Sequence, residues 1–208
     1  GYTDGTFGPS RSMTRSEAAA IFARLLAEKN GDTISTAANT KFADIPAHAW
    51  YSGYVKYLSN NGITYGKSKT IFAPNDAITR AEFTTLAVRF FDVYGDGDAE
   101  IMEQYKDFND VSDGYWAAEY IKYAALHGWI NGYGDGSFHA DREINRAEVV
   151  TIVNRLLGRE ADEDYIADNL RKLNTFPDVS RKHWAYYAVM EAANAHTAIL
   201  GDNESWSK

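Results

Sequence analysis

Two sequence patterns each recur three times along the chain, and this repetition limits the possible folds more than any other feature. One pattern, unit A, has the form "FNDVSDGYWAAEYIKYAALHGWI", and the other, unit B, has the form "GYGDGSFHADREINRAEVVTIVNRLL". The chain runs B, A-B, A-B, A, which indicates a repeat protein whose modules pack on one another. Unit A occupies 42–64, 108–130 and 176–199, and unit B occupies 1–26, 66–91 and 132–157.

The order of the units predicts a ring of three A-B modules that is cut inside one of them. The last unit A then meets the first unit B in space, so the two chain ends complete one module. Polar linkers separate the modules, and the third linker has the apolar residues of a short extra helix, Tyr165, Leu170 and Leu173. The predicted segments of one domain, 1–208, are 1–28 and 176–208 as halves of one module, and 42–92 and 108–158 as complete modules.

Both units have the spacing of amphipathic helices. Tyr51, Val55 and Leu58 share one helical face in unit A, and Phe83 and Phe90 share one in unit B. A glycine-rich loop such as "GYGDGSF" joins the two helices. A module of about 50 residues with two such helices cannot bury its apolar faces alone, so three modules should share one core. The sequence therefore predicts an all-α fold of helix-loop-helix modules.

Composition argues against several classes of function. The 208 residues include 21 Lys+Arg and 29 Asp+Glu, a formal net charge of -8, which disfavours nucleic acid or an anionic membrane as partner. There is no cysteine, so neither disulfides nor thiolate metal sites form. No apolar run approaches the length of a membrane span, so we expect no membrane insertion. The chain opens without a charged and apolar leader, so any signal peptide is expected to lie outside this sequence.

Motifs for catalysis or metal binding are missing from the sequence. It has no G-x-S-x-G, no H-E-x-x-H and no phosphate loop, and its five histidines lack metal-ligand spacing. Asp96, Asp98 and Glu100 alternate loosely like part of a calcium loop, but the later bidentate glutamate is absent. We therefore expect no enzyme, no cofactor and no metal site in this chain.

Taken together, the repeated motifs resemble the S-layer homology (SLH) domain family. These motifs are F-x-D-V/I, a tryptophan on the first helix, a G-Y-x-D-G-x-F-x-P loop, and T-R-A-E at the start of the second helix. This chain departs from the pattern at Asn145, which replaces the threonine, and at "KSKT" (67–70), which replaces Y-x-D-G. The resemblance covers 1–28, 42–92, 108–158 and 176–201.

Members of the family usually form a pseudo-threefold trimer of three tandem modules around a central helical bundle, and they attach bacterial surface proteins to the cell wall. The resemblance thus implies an extracellular, monomeric, noncatalytic anchor at the bacterial cell surface. It implies as ligand an anionic secondary cell-wall polysaccharide, whose terminal N-acetylmannosamine carries a pyruvate ketal, bound in grooves between modules. The alternatives are binding of polyamine-modified peptidoglycan and a structural module that self-assembles into an S-layer.

The T-R-A-E motif divides into structural and candidate functional parts. Thr79 and Glu82 are expected to form a capping box at the helix start. Arg80 is unfavourable next to the positive end of the helix dipole. It is expected either to be solvated or paired with a nearby aspartate, or to form an anion pocket with the free N–H groups of the helix N-terminus. The equivalent arginines are Arg15, Arg80 and Arg146.

Three further recurring sets are candidates for the ligand site. Each tryptophan is expected to pack in the core or to present a flat apolar wall to a sugar ring. Each aspartate is expected to cap the unit A helix or its entry turn, or to hydrogen-bond sugar hydroxyl or amide groups. Each glycine is expected to serve turn geometry or to let a ligand approach the backbone. The sets are Trp50, Trp116 and Trp184; Asp44, Asp110 and Asp178; and Gly1, Gly66 and Gly132.

Overall fold

The computed structural model describes residues 1–95, 107–199 and 205–207. Helices dominate these residues, which confirms the predicted all-α class. Unit B supplies α1, α3 and α5, and unit A supplies α2, α4 and α7. The helices are α1 (Arg15–Asn30), α2 (Ser52–Asn60), α3 (Arg80–Tyr94), α4 (Ala118–Leu126), α5 (Arg146–Leu156), α6 (Glu163–Asn169), which a 3-10 turn (Leu170–Lys172) follows, and α7 (Tyr186–Ala193); the strands are β1 (Thr197–Ile199) and β2 (Ser205–Ser207).

The predicted capping boxes start all three unit B helices. The Thr14 hydroxyl accepts the Glu17 N–H at 3.2 Å, and the Glu17 carboxylate accepts the Thr14 N–H at 2.8 Å. Asparagine serves as well as threonine at this position, because its side-chain oxygen accepts the same N–H. The other two boxes are Thr79 with Glu82 and Asn145 with Glu148.

The described residues form two compact units, which we call the larger and the smaller unit. The larger unit, Ser12–Ile144, contains α1 to α4. Within it α1 packs on α2, α3 packs on α4, and α1 contacts α3. The Phe22 ring of α1 lies 5.3 Å from the Phe83 ring and 5.0 Å from the Phe90 ring of α3. All three rings are fully buried, so the apolar face expected from the periodicity of unit B forms this core.

A closed ring of backbone hydrogen bonds joins three equivalent residues of the larger unit. The Met13 N–H donates to the Ile144 carbonyl at 3.1 Å, Ile144 donates to Ile78 at 3.0 Å, and Ile78 donates to Met13 at 2.9 Å. Each residue lies two positions before the arginine of its T-R-A-E motif, and each side chain is buried. The ring is a local threefold arrangement of equivalent strand-like segments. The pseudo-threefold packing of the whole chain stays a prediction.

The smaller unit combines Gly1–Arg11 with Asn145–Lys208. In it α5 packs on α7, and the Phe7 ring lies 5.4 Å from the Phe176 ring. The last unit A thus contacts the beginning of the chain. We propose on this contact that 176–208 and 1–28 are two halves of one module, beside the modules 42–92 and 108–158.

The third linker contains the predicted short helix, α6, and its apolar residues pack as expected. Ile166 is buried in the core of the smaller unit, and Tyr165, Leu170 and Leu173 pack against that core. Asp162 caps α6 by accepting the Tyr165 N–H at 2.8 Å. This linker is therefore a structural part of the smaller unit.

The end of the chain departs from the repeat pattern. After α7, strand β1 pairs antiparallel with β2, where a further loop would begin in a complete module. Trp206 of β2 is buried in the core, stacks on His196 with ring centroids 4.0 Å apart, and donates its backbone N–H to Asp162 at 3.0 Å. The N–H groups of Tyr165 and Trp206 lower the pKa of Asp162. Sequence periodicity missed this strand pair because three-residue strands are too short to show alternation.

We expect the substitution Trp206→Ala to lower the free energy of unfolding by about 3–5 kcal/mol, because it empties a large buried volume. Trp184→Ala is the matched control, since Trp184 is 64% exposed, and it should cost less than about 1 kcal/mol. Urea denaturation followed by circular dichroism measures both. Equal effects of the two substitutions would contradict a structural role for Trp206.

Candidate functional site

An aspartate of unit A holds the loop that begins unit B. One Asp110 carboxylate oxygen accepts the Phe138 N–H at 2.7 Å, and the other accepts the His139 N–H at 2.7 Å. Burial raises the pKa of Asp110, but the two N–H donors outweigh it, so the pKa lies below its ordinary value. The same pairs of bonds join Asp44 to Phe72 and Ala73, and Asp178 to Phe7 and Gly8.

The expectation that these aspartates cap the unit A helices is wrong. Helices α2, α4 and α7 begin without a side-chain cap, because the carboxylates point to the loops instead. The residue after each loop phenylalanine has a positive φ, which is 70° at Gly8, 58° at Ala73 and 55° at His139. Alanine and histidine adopt this conformation at a cost, so the aspartate bonds impose the loop shape. Hydrogen bonding from these aspartates to a sugar stays a prediction.

The recurring glycines allow a phenylalanine of unit A to pack against the loop backbone. A Cβ atom on Gly132 would lie 2.5 Å from Cε1 of Phe108 and 2.5 Å from the Ser137 carbonyl oxygen. Gly66 and Gly1 face Phe42 and Phe176 in the same way, and Gly66 also has a φ of 79°. The group that closely approaches the backbone of each glycine is thus a phenylalanine ring of the protein itself. Contact of these glycines with a ligand stays a prediction.

The three motif arginines are held by the loop of another unit B. The Arg80 Nε donates to the Phe138 carbonyl at 2.8 Å, and its guanidinium carbon lies 4.5 Å from the centre of the Phe138 ring. Arg80 is only 4% exposed. The equivalent bonds run from Arg15 to Phe72 at 2.8 Å and from Arg146 to Phe7 at 2.9 Å. The expectation that the motif arginines are solvated is therefore wrong for Arg15 and Arg80.

The predicted anion pocket of free N–H groups is also wrong. At the start of α1, the Arg15 N–H donates to the Asp76 carbonyl and the Ser16 N–H to the Pro74 carbonyl, both at 3.0 Å. The third N–H, from Glu17, donates to the Thr14 hydroxyl. Carbonyls of the facing loop satisfy these donors, so they are not available to an anion. The same pairs of bonds run from Arg80 and Ala81 to Arg142 and Ala140, and from Arg146 and Ala147 to Arg11 and Pro9.

A carboxylate compensates the charge of Arg15 at the helix start. The Arg15 Nη1 lies 3.1 Å from Oε2 of Glu82, the capping residue of α3. The Lys67 ammonium lies 3.7 Å from Oε1 of the same carboxylate. Glu82 therefore caps its own helix and also neutralises a buried arginine that arrives from α1.

The three tryptophans lie on the surface, which contradicts the expectation of core packing. Trp50, Trp116 and Trp184 are 54%, 57% and 64% exposed, and each lies two residues before the first residue of a unit A helix instead of on the helix itself. Exposure of more than half of so large an apolar side chain is unusual for a residue that only supports the fold. Three such exposures at equivalent positions make these tryptophans candidates for contact with a ligand.

The tyrosine beside one of these tryptophans binds a carboxylate. Tyr115 precedes Trp116 and donates its hydroxyl to Asp141 at 2.6 Å. Burial, that hydrogen bond and the charges of Asp141 and Glu82 raise the pKa of Tyr115 to about 12, so the phenol stays protonated at neutral pH.

Two loop tyrosines that contact arginines were not predicted from the sequence. Tyr133 lies under Arg80 and Arg142, at 5.2 and 5.6 Å from ring centre to guanidinium carbon. Tyr2 contacts Arg146 and Arg11 in the same way, with the guanidinium carbons 4.8 and 4.5 Å from the ring centre. The signal was present, because these residues hold equivalent positions in two aligned repeats.

Metal sites and membrane-spanning helices can be assessed only for the residues that the structure describes. In the ranges 1–95, 107–199 and 205–207, no three His, Asp or Glu side chains come together as a metal site would need. Asp96, Asp98 and Glu100 lie outside the described residues. Of the helices described, none has the length and apolar character to cross a membrane.

We expect Gly132→Ala to lower the free energy of unfolding by about 1–3 kcal/mol, because its Cβ would overlap the Phe108 ring and the Ser137 carbonyl. Gly134→Ala in the same loop is the control, since nothing lies within 4 Å of its Cβ. Thermal unfolding of both variants tests this expectation. A Gly134 variant as destabilised as the Gly132 variant would show that loop flexibility, not ring packing, matters.

We expect Arg80→Ala to destabilise the protein by about 2–4 kcal/mol, because it removes a buried charged donor and leaves the Phe138 carbonyl without that bond. Arg159→Ala, at an exposed arginine of the third linker, is the control and should be nearly neutral. Urea denaturation measures the difference. Full retention of stability in the Arg80 variant would mean that its loop bond contributes nothing.

Comparison with known proteins agrees with this architecture. The chain is 34% identical to Cell surface glycoprotein 1 of Acetivibrio thermocellus, over 98% of this chain and 9% of that protein. It is 32% identical to the Cellulosome-anchoring protein of the same bacterium, over 98% of this chain and 43% of that protein. It is 31% identical to an Amylopullulanase of Thermoanaerobacterium thermosulfurigenes, over 78% of this chain and 8% of that enzyme. The chain thus spans less than half of each relative.

The profile of the S-layer homology domain matches residues 1–19, 41–84 and 107–150, just over half of the chain. These matches coincide with the loops and capped helix starts described above. The names of the surface relatives confirm the predicted bacterial cell-surface location. The chain belongs to the S-layer homology domain family.

Proposed function

We propose that this chain is a noncatalytic module that anchors a larger protein to the bacterial cell wall by binding a wall polysaccharide. One observation carries the proposal, namely the exposure of a tryptophan at the same place in each unit A. Aromatic faces of this kind bind the C–H face of a sugar ring and exclude water from it. One relative is itself named as an anchoring protein, which supports the same role here.

The partial match to an amylopullulanase is consistent with a noncatalytic role for this chain. This chain matches only 8% of the amylopullulanase, as expected if a module of this type is attached to a separate catalytic part. The functional surfaces described here consist of tryptophans, loop tyrosines and ion-paired side chains. None of these arrangements resembles a nucleophile beside a general base.

The ligand we propose is a secondary cell-wall polysaccharide with a terminal pyruvylated N-acetylmannosamine. Its sugar ring would lie against a tryptophan such as Trp116, and its carboxylate would face the cationic side of the groove. The exposed ring of Trp116 supplies an apolar face, and Arg15 and Lys67, which both contact Glu82, supply positive charge, so the chain contains both groups that such a ligand needs. Local positive charge can attract an anionic sugar even though the whole chain has a net charge of -8.

Because the motif arginines bind loop carbonyls, and Arg15 and Arg80 are also buried, we propose a supporting role for them. Arg15, Arg80 and Arg146 hold the loops in place and add positive potential to the site. Substitution of these residues would change the fold and binding together. The exposed tryptophans are therefore the better test of ligand binding.

We expect the triple variant Trp50→Ala, Trp116→Ala, Trp184→Ala to keep its thermal unfolding temperature and to lose affinity for purified wall polysaccharide about thirtyfold. A loss of that size corresponds to about 2 kcal/mol for an aromatic contact. Val93→Ala, which shortens an exposed apolar side chain of α3, is the control and should bind normally. Isothermal titration calorimetry against the polymer measures affinity. Wild-type affinity in the triple variant would overturn the proposed site.

The same titration distinguishes the possible ligands. Polymer from which the ketal has been removed should bind more weakly than intact polymer, and equal binding would exclude recognition of the carboxylate. Preference for polyamine-modified peptidoglycan over both polymers would favour the alternative ligand. Sedimentation of the free protein tests the lattice alternative, since a self-assembling module forms oligomers without sugar and an anchor of this kind stays monomeric.

A further inference from the structure

The residue before each exposed tryptophan differs between the three copies of unit A. It is Ala49 in the first copy, Tyr115 in the second and His183 in the third. Alanine has no polar side-chain atom, and the hydroxyl of Tyr115 already donates to Asp141. The polar groups beside the three tryptophans are therefore different, and the histidine is the one whose ring can still offer a hydrogen bond to a ligand.

The backbone of His183 is held on both sides by hydrogen bonds. Its N–H donates to the Ser180 carbonyl at 2.8 Å, and its carbonyl accepts the Tyr186 N–H at 2.9 Å. Tyr186 is the first residue of α7. The side chain of His183 therefore extends from a fixed turn directly before that helix.

A backbone N–H group fixes the tautomer of this imidazole. The Ala185 N–H donates to Nδ1 of His183, with the two nitrogens 3.1 Å apart. A backbone N–H is only a donor, so Nδ1 has to be the acceptor, and the single ring proton of the neutral imidazole is then on Nε2. Asparagine and aspartate side chains accept the N–H two residues further on in the same way. His183 thus presents an N–H donor at the outer end of its ring.

This donor lies beside an exposed aromatic face and has no protein partner in the ranges 1–95, 107–199 and 205–207. The ring centres of His183 and Trp184 are 5.8 Å apart, and their planes are inclined by 27°. At this separation one sugar ring can contact both side chains. A ligand that covers Trp184 displaces the water around Nε2, so it must supply an oxygen to replace the lost hydrogen bond.

We propose that His183 is a specificity-determining residue of the third tryptophan site, where its Nε2–H donates to an uncharged acceptor oxygen of the sugar that contacts Trp184. Ala49 provides no such donor in the first copy, and the donor of Tyr115 is taken by Asp141 in the second. The three tryptophan sites are therefore chemically unequal. This inference rests on the proposed function, because it assigns a polar contact to the sugar that the tryptophan binds.

The test isolates the third site. In the double variant Trp50→Ala, Trp116→Ala, the remaining affinity for purified wall polysaccharide depends on Trp184, and calorimetry measures it. Adding His183→Asn should weaken that affinity about fivefold, the loss expected for one hydrogen bond between uncharged groups. Asparagine keeps the turn, because its side-chain oxygen can accept the Ala185 N–H, but it is too short to place a donor at the position of Nε2.

Two controls separate the proposed contact from changes to the fold. His48→Asn in the same double variant changes an exposed histidine two residues before position 50 and should leave the affinity unchanged. His183→Asn in the single variant Trp184→Ala should also have no effect on affinity, because no sugar then covers this site. The unfolding temperature of each His183→Asn variant should equal that of its parent, since the turn is kept.

Nitrogen-15 NMR of the histidine rings tests the tautomer without any ligand. Above the pH range in which histidines titrate, Nδ1 of His183 should give the resonance of an unprotonated nitrogen and Nε2 that of an N–H group. The spectrum of His183→Asn identifies these signals. Addition of the polysaccharide should shift the Nε2 resonance and slow the exchange of its proton with water, which a purely structural role would not do. A proton on Nδ1 would overturn the inference.

The outcomes separate this inference from the proposed function. If the Trp50, Trp116 double variant binds the polysaccharide and His183→Asn does not weaken it, the inference is wrong and the anchoring function stands. An equal loss in the His48→Asn control, or no binding at all by the double variant, would also overturn the inference. If the wild type does not bind the wall polysaccharide, the proposed function is wrong and the inference falls with it.

Discussion

Helix starts in this protein depend on backbone carbonyls that come from a different repeat. The first N–H groups of an α-helix have no partner within the helix, and burying them unpaired is costly. Here the first two N–H groups of each unit B helix donate to the loop of another unit B, and the third donates to the capping side chain. No module could satisfy its own helix start in this way. The repeats therefore need each other for hydrogen bonding as well as for burial of apolar surface.

The loop that supplies those carbonyls must keep one shape, and the conserved spacing of the repeats serves that shape. An aspartate such as Asp110 binds two successive loop N–H groups, and a glycine such as Gly132 lets a phenylalanine pack on the backbone. The motif arginine then binds the phenylalanine carbonyl from the opposite side. The aspartate, glycine, phenylalanine and arginine thus act together to fix the conformation of the loop. Most residues of the recurring motif take part in these contacts.

The proposed binding surface consists of side chains that these loop contacts leave exposed. Trp50, Trp116 and Trp184 contribute little to the core, and the exposed loop residues differ from copy to copy. Repeats in one chain can keep a common backbone structure while their exposed side chains vary, because substitutions at exposed positions cost little stability. The contrast between Tyr133 with Arg142 and Lys67 with Asp76 is of this kind.

Much of the local structure could be predicted from the sequence. Thr14 with Glu17 forms its capping box, Phe83 and Phe90 are buried, and α6 forms in the third linker, because each depends on neighbouring residues or on simple periodicity. The repeat alignment also identified the equivalent residues of the proposed site, whose binding role stays a prediction. The β1–β2 pair and the burial of Trp206 could not be predicted, since they depend on a pairing of short segments.

The role of the motif arginine shows where prediction from sequence ended. Its recurrence and its unfavourable place at the helix start were visible in the sequence, and both suggested an anion. The sequence determined that something electron-rich must face Arg80; the tertiary structure decided that this is the Phe138 carbonyl of another repeat. Partners of a helix end are chosen by which segments meet in space, and residue spacing along the chain does not contain that information.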